Sequence, residues 1–114
     1  MKKLILVITL LFIGFSSQSQ EVKKKKNTKA TIEVKGNCGM CQKRIEKAAM
    51  TVKGVKSASW DVDSLQLSLI FNEQKCSVLD VKKAVATVGH DTDAVKASKE
   101  VYDNLHGCCQ YERK

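Results

Sequence analysis

The sequence contains no proline and few aromatic residues, with one tryptophan, two tyrosines and three phenylalanines among 114 residues. Without proline there is no stiff polyproline segment, and the turns fall to Gly, Asn, Asp and Ser. With so few rings, the core has to be mainly aliphatic. Acidic side chains are outnumbered 12 to 20 by Lys and Arg, which leaves a formal net charge of +8. No apolar run reaches the roughly 20 residues that a spanning helix needs. No Ser, His and carboxylate set stands at a spacing that suggests hydrolysis, and there is no glycine-rich phosphate loop, so the chain reads as a binding protein rather than an enzyme. Its length suits one small domain, which buries only about 60–70% of its unfolded surface.

The chain starts with a short basic stretch, MKK, and an apolar run from Leu4 to Phe15 broken only by Thr9 and Gly14. The small polar stretch SSQSQ follows. This is the pattern of a secretory signal peptide over residues 1–19, cleaved after Ser19. No cysteine stands at the cleavage point, which argues against a lipoprotein. Export is expected, to the periplasm first and the extracellular space second. Residues 20–28 form a basic linker with four adjacent lysines and no apolar period. No aromatic side chain is interleaved with these lysines, so a nucleic-acid partner is not expected. Weak contact with an anionic membrane surface suits them better.

From Lys29 the pattern becomes periodic. Ala30, Ile32 and Val34 alternate with polar residues as a half-buried strand does. Gly36 and Asn37 break it. Cys41, Ile45, Ala48, Ala49 and Val52 then fall on one helical face, with Gly54 closing the helix. Ala58, Trp60 and Val62 share a strand face, Asp63 and Ser64 turn the chain, and Leu65, Leu67, Leu69 and Phe71 return as the second arm of a hairpin. Ser77 and Asp80 form a capping box for a helix that turns Val78, Val81, Ala84, Val85 and Val88 inward, and Gly89 ends it. Asp91 to Ala97 reads as a last short strand. The order strand, helix, strand, strand, helix, strand predicts an α+β ferredoxin-like βαββαβ sandwich. Its four-stranded antiparallel sheet carries two helices on one face, with the first and third strands central. In that layout the loop after the first strand and the loop from Val88 to Thr92 meet at one end of the sheet.

There are five cysteines, Cys38, Cys41, Cys76, Cys108 and Cys109. In an exported protein most cysteines form disulfides, and an odd number leaves one over. Cys38 and Cys41 stand in the sequence GNCGMC, between the first strand and the first helix. Two thiolates at this spacing can converge on one soft ion. The free amides and positive end of a helix stabilise a thiolate there. The same chemistry suits a thiol–disulfide redox module, and a structural staple is the third option. A thioredoxin-type enzyme needs a parallel sheet that the Ser57–Phe71 hairpin does not supply.

The runs KATIEVKGNCGMCQKRIEKA, VKGVKSASWDVD and KKAVATVGHD resemble heavy-metal-associated domains over residues 29–97. These domains comprise copper chaperones, the metal-binding domains of heavy-metal P-type ATPases, and the periplasmic mercury-binding protein. The resemblance implies that Cys38 and Cys41 are metal ligands. It further implies that the ion passes to a partner by ligand exchange, the partner being a metal-transporting membrane protein or another metal-binding domain. Two thiolates with an open third position suit copper(I). Zinc prefers four ligands, and the family likeness keeps mercury(II) as an option. The family commonly has methionine where Gly36 stands, as a hydrophobic anchor for the loop.

Three more residues are candidate additional ligands. His90 lies in VGHD, where it can offer a nitrogen or sit as an exposed loop histidine. Cys108 and Cys109 lie in a tail, residues 98–114, outside the family pattern. Ser98 is expected to cap a short helix through Leu105, with Val101, Tyr102 and Leu105 docked on the core. Cys76 stands before the second helix, at the far end of the sheet, and is not expected to bind the ion.

Overall fold

The structure is a computed structural model that describes residues 24–113. The expected signal peptide and the first part of the basic linker lie outside the described residues. Three strands form one antiparallel sheet in the order β1-β3-β2: β1 (Thr28–Glu33), β2 (Val55–Asp61) and β3 (Gln66–Phe71). Two long helices, α1 (Gly39–Met50) and α2 (Val78–Thr87), pack on each other, and α1 packs on β2. A short helix, α3 (Lys99–Asp103), and one 3-10 turn (Gly107–Cys109) make up the tail. Among the described residues no helix is long and apolar enough to cross a membrane.

The sheet register lines up the inward residues in rungs. Ile32, Leu67 and Trp60 share one rung, and Ala30, Leu69 and Ala58 the next. Side-chain alternation puts these residues on one face, where α1 covers them with Ile45, Ala48 and Ala49 and α2 with Val81 and Val85. Trp60 is 2% exposed. Burial of a ring this size contributes about 4–6 kcal/mol by area.

The helix ends follow local chemistry. Ser77 and Asp80 exchange both bonds of the expected capping box at the start of α2. At its end Gly89 takes φ +109, while its N–H donates to the Ala86 carbonyl and that of His90 to the Val85 carbonyl. This double closure is why glycine stands there. By contrast, α1 ends at Met50 with Thr51 as its cap, and Gly54 sits at φ +108 in the turn beyond.

Five expectations need correction. Among the described residues the sheet has three strands, with β3 central and β1 at an edge, and Gly54 stands beyond the end of α1. The segment from Asp91 to Ala97 forms no strand among the described residues. Only an isolated antiparallel bridge, Val34 to Thr92, stands at the free edge of β1. The Thr92 hydroxyl and backbone both bond Val95, and the Asp91 carboxylate accepts from the Ala97 N–H at 2.7 Å. These local bonds take the groups that a sheet ladder would use. Val62 lies past the end of β2 and is exposed. Leu65 belongs to the turn, at φ 60, where Asp61 accepts from the Ser64 N–H and hydroxyl.

Candidate metal centre

The site forms where β1 runs out. Beyond Val34 the chain passes Gly36, where an added Cβ would lie 3.0 Å from the Trp60 ring and 3.1 Å from the Cys41 Cβ. The Trp60 ring, not a loop side chain, therefore fills this space. Trp60 is itself fixed, donating from Nε1 to the Val34 carbonyl at 3.0 Å and from its backbone N–H to Glu46 at 2.9 Å. Cys38 then takes an extended conformation as the N-cap of α1. Cys41 follows within the first turn, fully buried.

Four sulfurs converge here. Cys38 Sγ lies 3.5 Å from Cys41 Sγ, 3.5 Å from Cys109 Sγ and 3.7 Å from Cys108 Sγ. The two tail sulfurs are 3.9 Å apart. The Cys108 thiol also reaches the Met40 thioether at 3.7 Å. Among the described residues, Cys38, Cys108 and Cys109 form a group with ligand atoms all within 4.8 Å of one another. Cys41 adjoins it through Cys38, and its sulfur accepts from the Asn37 N–H at 3.5 Å.

The electrostatics single out Cys38. Its pKa falls from 9.0 to about 7, first because the Cys41 backbone N–H turns toward the sulfur, and then through the neighbouring thiols. That N–H contact falls short of a regular cap hydrogen bond. Burial pushes Cys41 up to about 12, and contact with the Cys38 sulfur raises Cys108 to about 11. The cluster thus combines one thiol that ionises near neutral pH with neighbours held protonated, which a bound cation would deprotonate.

The tail is fastened at both ends of its thiol pair. Ser98 caps α3 by accepting from the Val101 N–H, and Leu105 packs into the core. Past the cysteines, the Tyr111 hydroxyl accepts from the Asp91 N–H and donates to the Gly89 carbonyl, each at 2.8 Å. The Tyr102 hydroxyl donates to the Tyr111 carbonyl. Arg113 lies over the Tyr102 ring and bonds the Ala97 carbonyl. Asn37, in the loop that carries Cys38, donates to the Gln110 carbonyl at 2.6 Å, tying loop to tail directly.

His90 is not an exposed loop histidine. It is fully buried, with Nδ1 2.7 Å from the Lys35 carbonyl and its ring stacked on Tyr111. Burial lowers its pKa. It does not join the group of clustered thiols. Cys76 packs elsewhere, bonding the Asn72 carbonyl beneath Gly54. Tyr111, Arg113 and Met40 were not picked out by sequence reasoning. The aromatic and cationic pair in the closing YER was the one available cue.

The copper chaperone CopZ of Staphylococcus haemolyticus (strain JCSC1435) is 34% identical over 61 residues, which cover 53% of this chain and 90% of that protein. The chain belongs to the heavy-metal-associated domain family. No family model matches it. Among solved structures, a CopZ metallochaperone is 29% identical with a TM-score of 0.55, covering 57% of this chain and 98% of its own. The N-terminal domain of a potential copper-translocating P-type ATPase from Bacillus subtilis, in its Cu(I)-loaded state, is 30% identical with a TM-score of 0.55 and covers 58% and 84%. Oxidised MerP from Ralstonia metallidurans CH34 is 25% identical with a TM-score of 0.51, covering 58% and 96%. These family members have the ferredoxin-like fold, and they are metallochaperones and metal-binding domains rather than enzymes.

Proposed function

We propose that this protein is an exported soft-metal carrier, a copper(I) chaperone or scavenger that holds the ion on Cys38 and Cys41. The observation that carries this reading is the 3.5 Å approach of the two sulfurs at the head of α1, where the Cys41 backbone N–H lowers the Cys38 pKa to about 7. Soft thiolates select copper(I) over hard cations. A partner's cysteines can displace these ligands one at a time, so the ion moves by exchange without release. A metal-transporting membrane protein or another domain of this family is the partner class. A copper chaperone and a potential copper-translocating ATPase domain among the relatives support copper, and the resemblance to the periplasmic mercury-binding protein keeps mercury(II) as the alternative cargo.

The test is titration of the fully reduced protein with copper(I) under anaerobic conditions, with mercury(II) and zinc in parallel. One tightly bound copper(I) per chain is expected, abolished in Cys38→Ser/Cys41→Ser. Unchanged tight binding in that double variant overturns the assignment. Export is tested by fractionating cells and sequencing the mature N-terminus, expected at Gln20.

A further inference from the structure

The thiol pair at the head of α1 faces a second pair, and their spacing has a metric consequence. With metal–sulfur bonds of about 2.3 Å, the sulfurs around one tetrahedral ion stand about 3.8 Å apart, those around a trigonal ion about 4.0 Å, and those of a linear ion about 4.6 Å. Cys38, Cys108 and Cys109 form a triangle with sides of 3.5, 3.7 and 3.9 Å. Its centre lies about 2.1 Å from each sulfur, so an ion slightly out of the plane reaches all three at ordinary bond length. A linear two-thiolate ion would need a wider pair than any side of this triangle, and wider than the 3.5 Å Cys38–Cys41 pair.

We propose that the tail completes a three-thiolate site, with Cys108 and Cys109 binding the same ion as Cys38. The ion then rests under the tail and passes to the Cys38/Cys41 pair when the tail lifts. Each bound thiol gives its proton to solvent, with no change in oxidation state. The tail occupies the coordination positions that a partner's cysteines need. Tethered at high effective concentration, it competes with them and with free thiols. Tyr111 and Arg113 set that competition. They fix the segment just past the cysteines to Gly89, Asp91 and Ala97 through hydrogen bonds that use no sulfur. They are positioning residues.

The proposal rests on the metal-carrier reading above, and one set of measurements separates the two. Copper(I) is titrated into the reduced full-length chain against a chromogenic copper(I) chelator, and the loaded protein is measured by X-ray absorption. Wild type is expected to show at least three sulfur ligands. Cys108→Ser/Cys109→Ser should show two and bind at least about tenfold more weakly. Cys109 is buried, so Cys108→Ser alone, at an exposed thiol, guards against misfolding and should lose a sulfur as well. Tyr111→Phe/Arg113→Ala keeps every cysteine yet should shift toward two sulfurs and transfer copper(I) faster to a competing thiol. Two sulfurs in wild type, or tail variants with unchanged affinity and coordination, overturn the proposal while leaving the carrier intact. Absence of copper(I) binding in wild type overturns the carrier reading itself.

Discussion

Arg113 grips Asp91 with two parallel bonds, Nε to Oδ2 at 3.0 Å and Nη2 to Oδ1 at 3.1 Å, across 22 positions of sequence. Asp91 is nearly buried and also accepts from the Ala97 N–H, so one carboxylate joins the end of the tail to the loop after α2. Arg113→Ala should cost about 1–3 kcal/mol, as hydrogen bonds to charged groups do. Arg113→Lys should recover little, because an ammonium cannot make the bidentate pair. Urea denaturation of the reduced apo-protein measures both.

Tyr111→Phe tests the companion anchor. It leaves a buried N–H and a buried carbonyl without their partner, at an expected cost of about 1–3 kcal/mol. Hydrogen exchange at the Asp91 amide should speed up in the variant. An unchanged exchange rate there would mean that the hydroxyl does not hold this loop.

The pH dependence of thiol reactivity follows from the cluster. With pKa values of about 7 for Cys38, about 12 for Cys41 and about 11 for Cys108, iodoacetamide should label Cys38 first, with a midpoint near pH 7. Labelled peptides resolved by mass spectrometry give the order. The stability signs oppose each other. The Cys38 contribution is complete above its ordinary value of 9.0 and is lost as pH falls through about 7. Cys41 and Cys108 favour the neutral thiol, so their contributions hold below 9.0 and disappear as pH rises toward 11 and 12.

Gly36→Met should fail as a restoration of the common family residue. The first atom of any side chain meets the Trp60 ring at 3.0 Å. Overpacking of this kind costs about 1–3 kcal/mol, and displacement of the loop should weaken copper(I) binding. Pairing it with Trp60→Leu, which opens the space, should recover part of the loss in a double-mutant cycle.

Oxidation should reveal two partners for one sulfur. Cys38 is 3.5 Å from both Cys41 and Cys109, so air oxidation of the apo-protein should give a mixture of Cys38–Cys41 and Cys38–Cys109 disulfides. Copper(I) loaded beforehand should suppress both. Peptide mapping after alkylation distinguishes the products.

The elements legible in the sequence are those built by local rules. Alternation at Ala30, Ile32 and Val34 gave β1, the 3.6-residue period from Cys41 to Ala49 gave α1, and Ser77, Asp80 and Gly89 bounded α2. The pairing of Cys38 with Cys41 needed only the spacing within one helical turn. The arrival of Cys108 and Cys109 rests on contacts made 70 and 71 positions apart, and no periodicity carries those. The anchors Tyr111 and Arg113 are hidden for a related reason, since much of what they bind is backbone or a loop carboxylate. The expected last strand failed where side-chain bonds of Asp91 and Thr92 outcompeted a ladder. His90 could be a ligand or an exposed loop histidine on sequence alone, and the closure of α2 makes it neither, turning it inward against the Lys35 carbonyl.

The lysine-bearing end of the described chain is fastened far from the four clustered sulfurs. Lys25 exchanges bonds with Glu73, its N–H reaching the Glu73 carboxylate and its carbonyl accepting from the Glu73 N–H, beside the Phe71 end of β3. Strand β1 alone then carries the chain about 17 Å toward the metal loop. Basic leash and thiol cluster thus occupy opposite poles, with Cys76 alone on the basic side. If an anionic surface draws Lys24, Lys25 and Lys26 to itself, the molecule is moored by its stern, with its cargo facing outward to whatever passes.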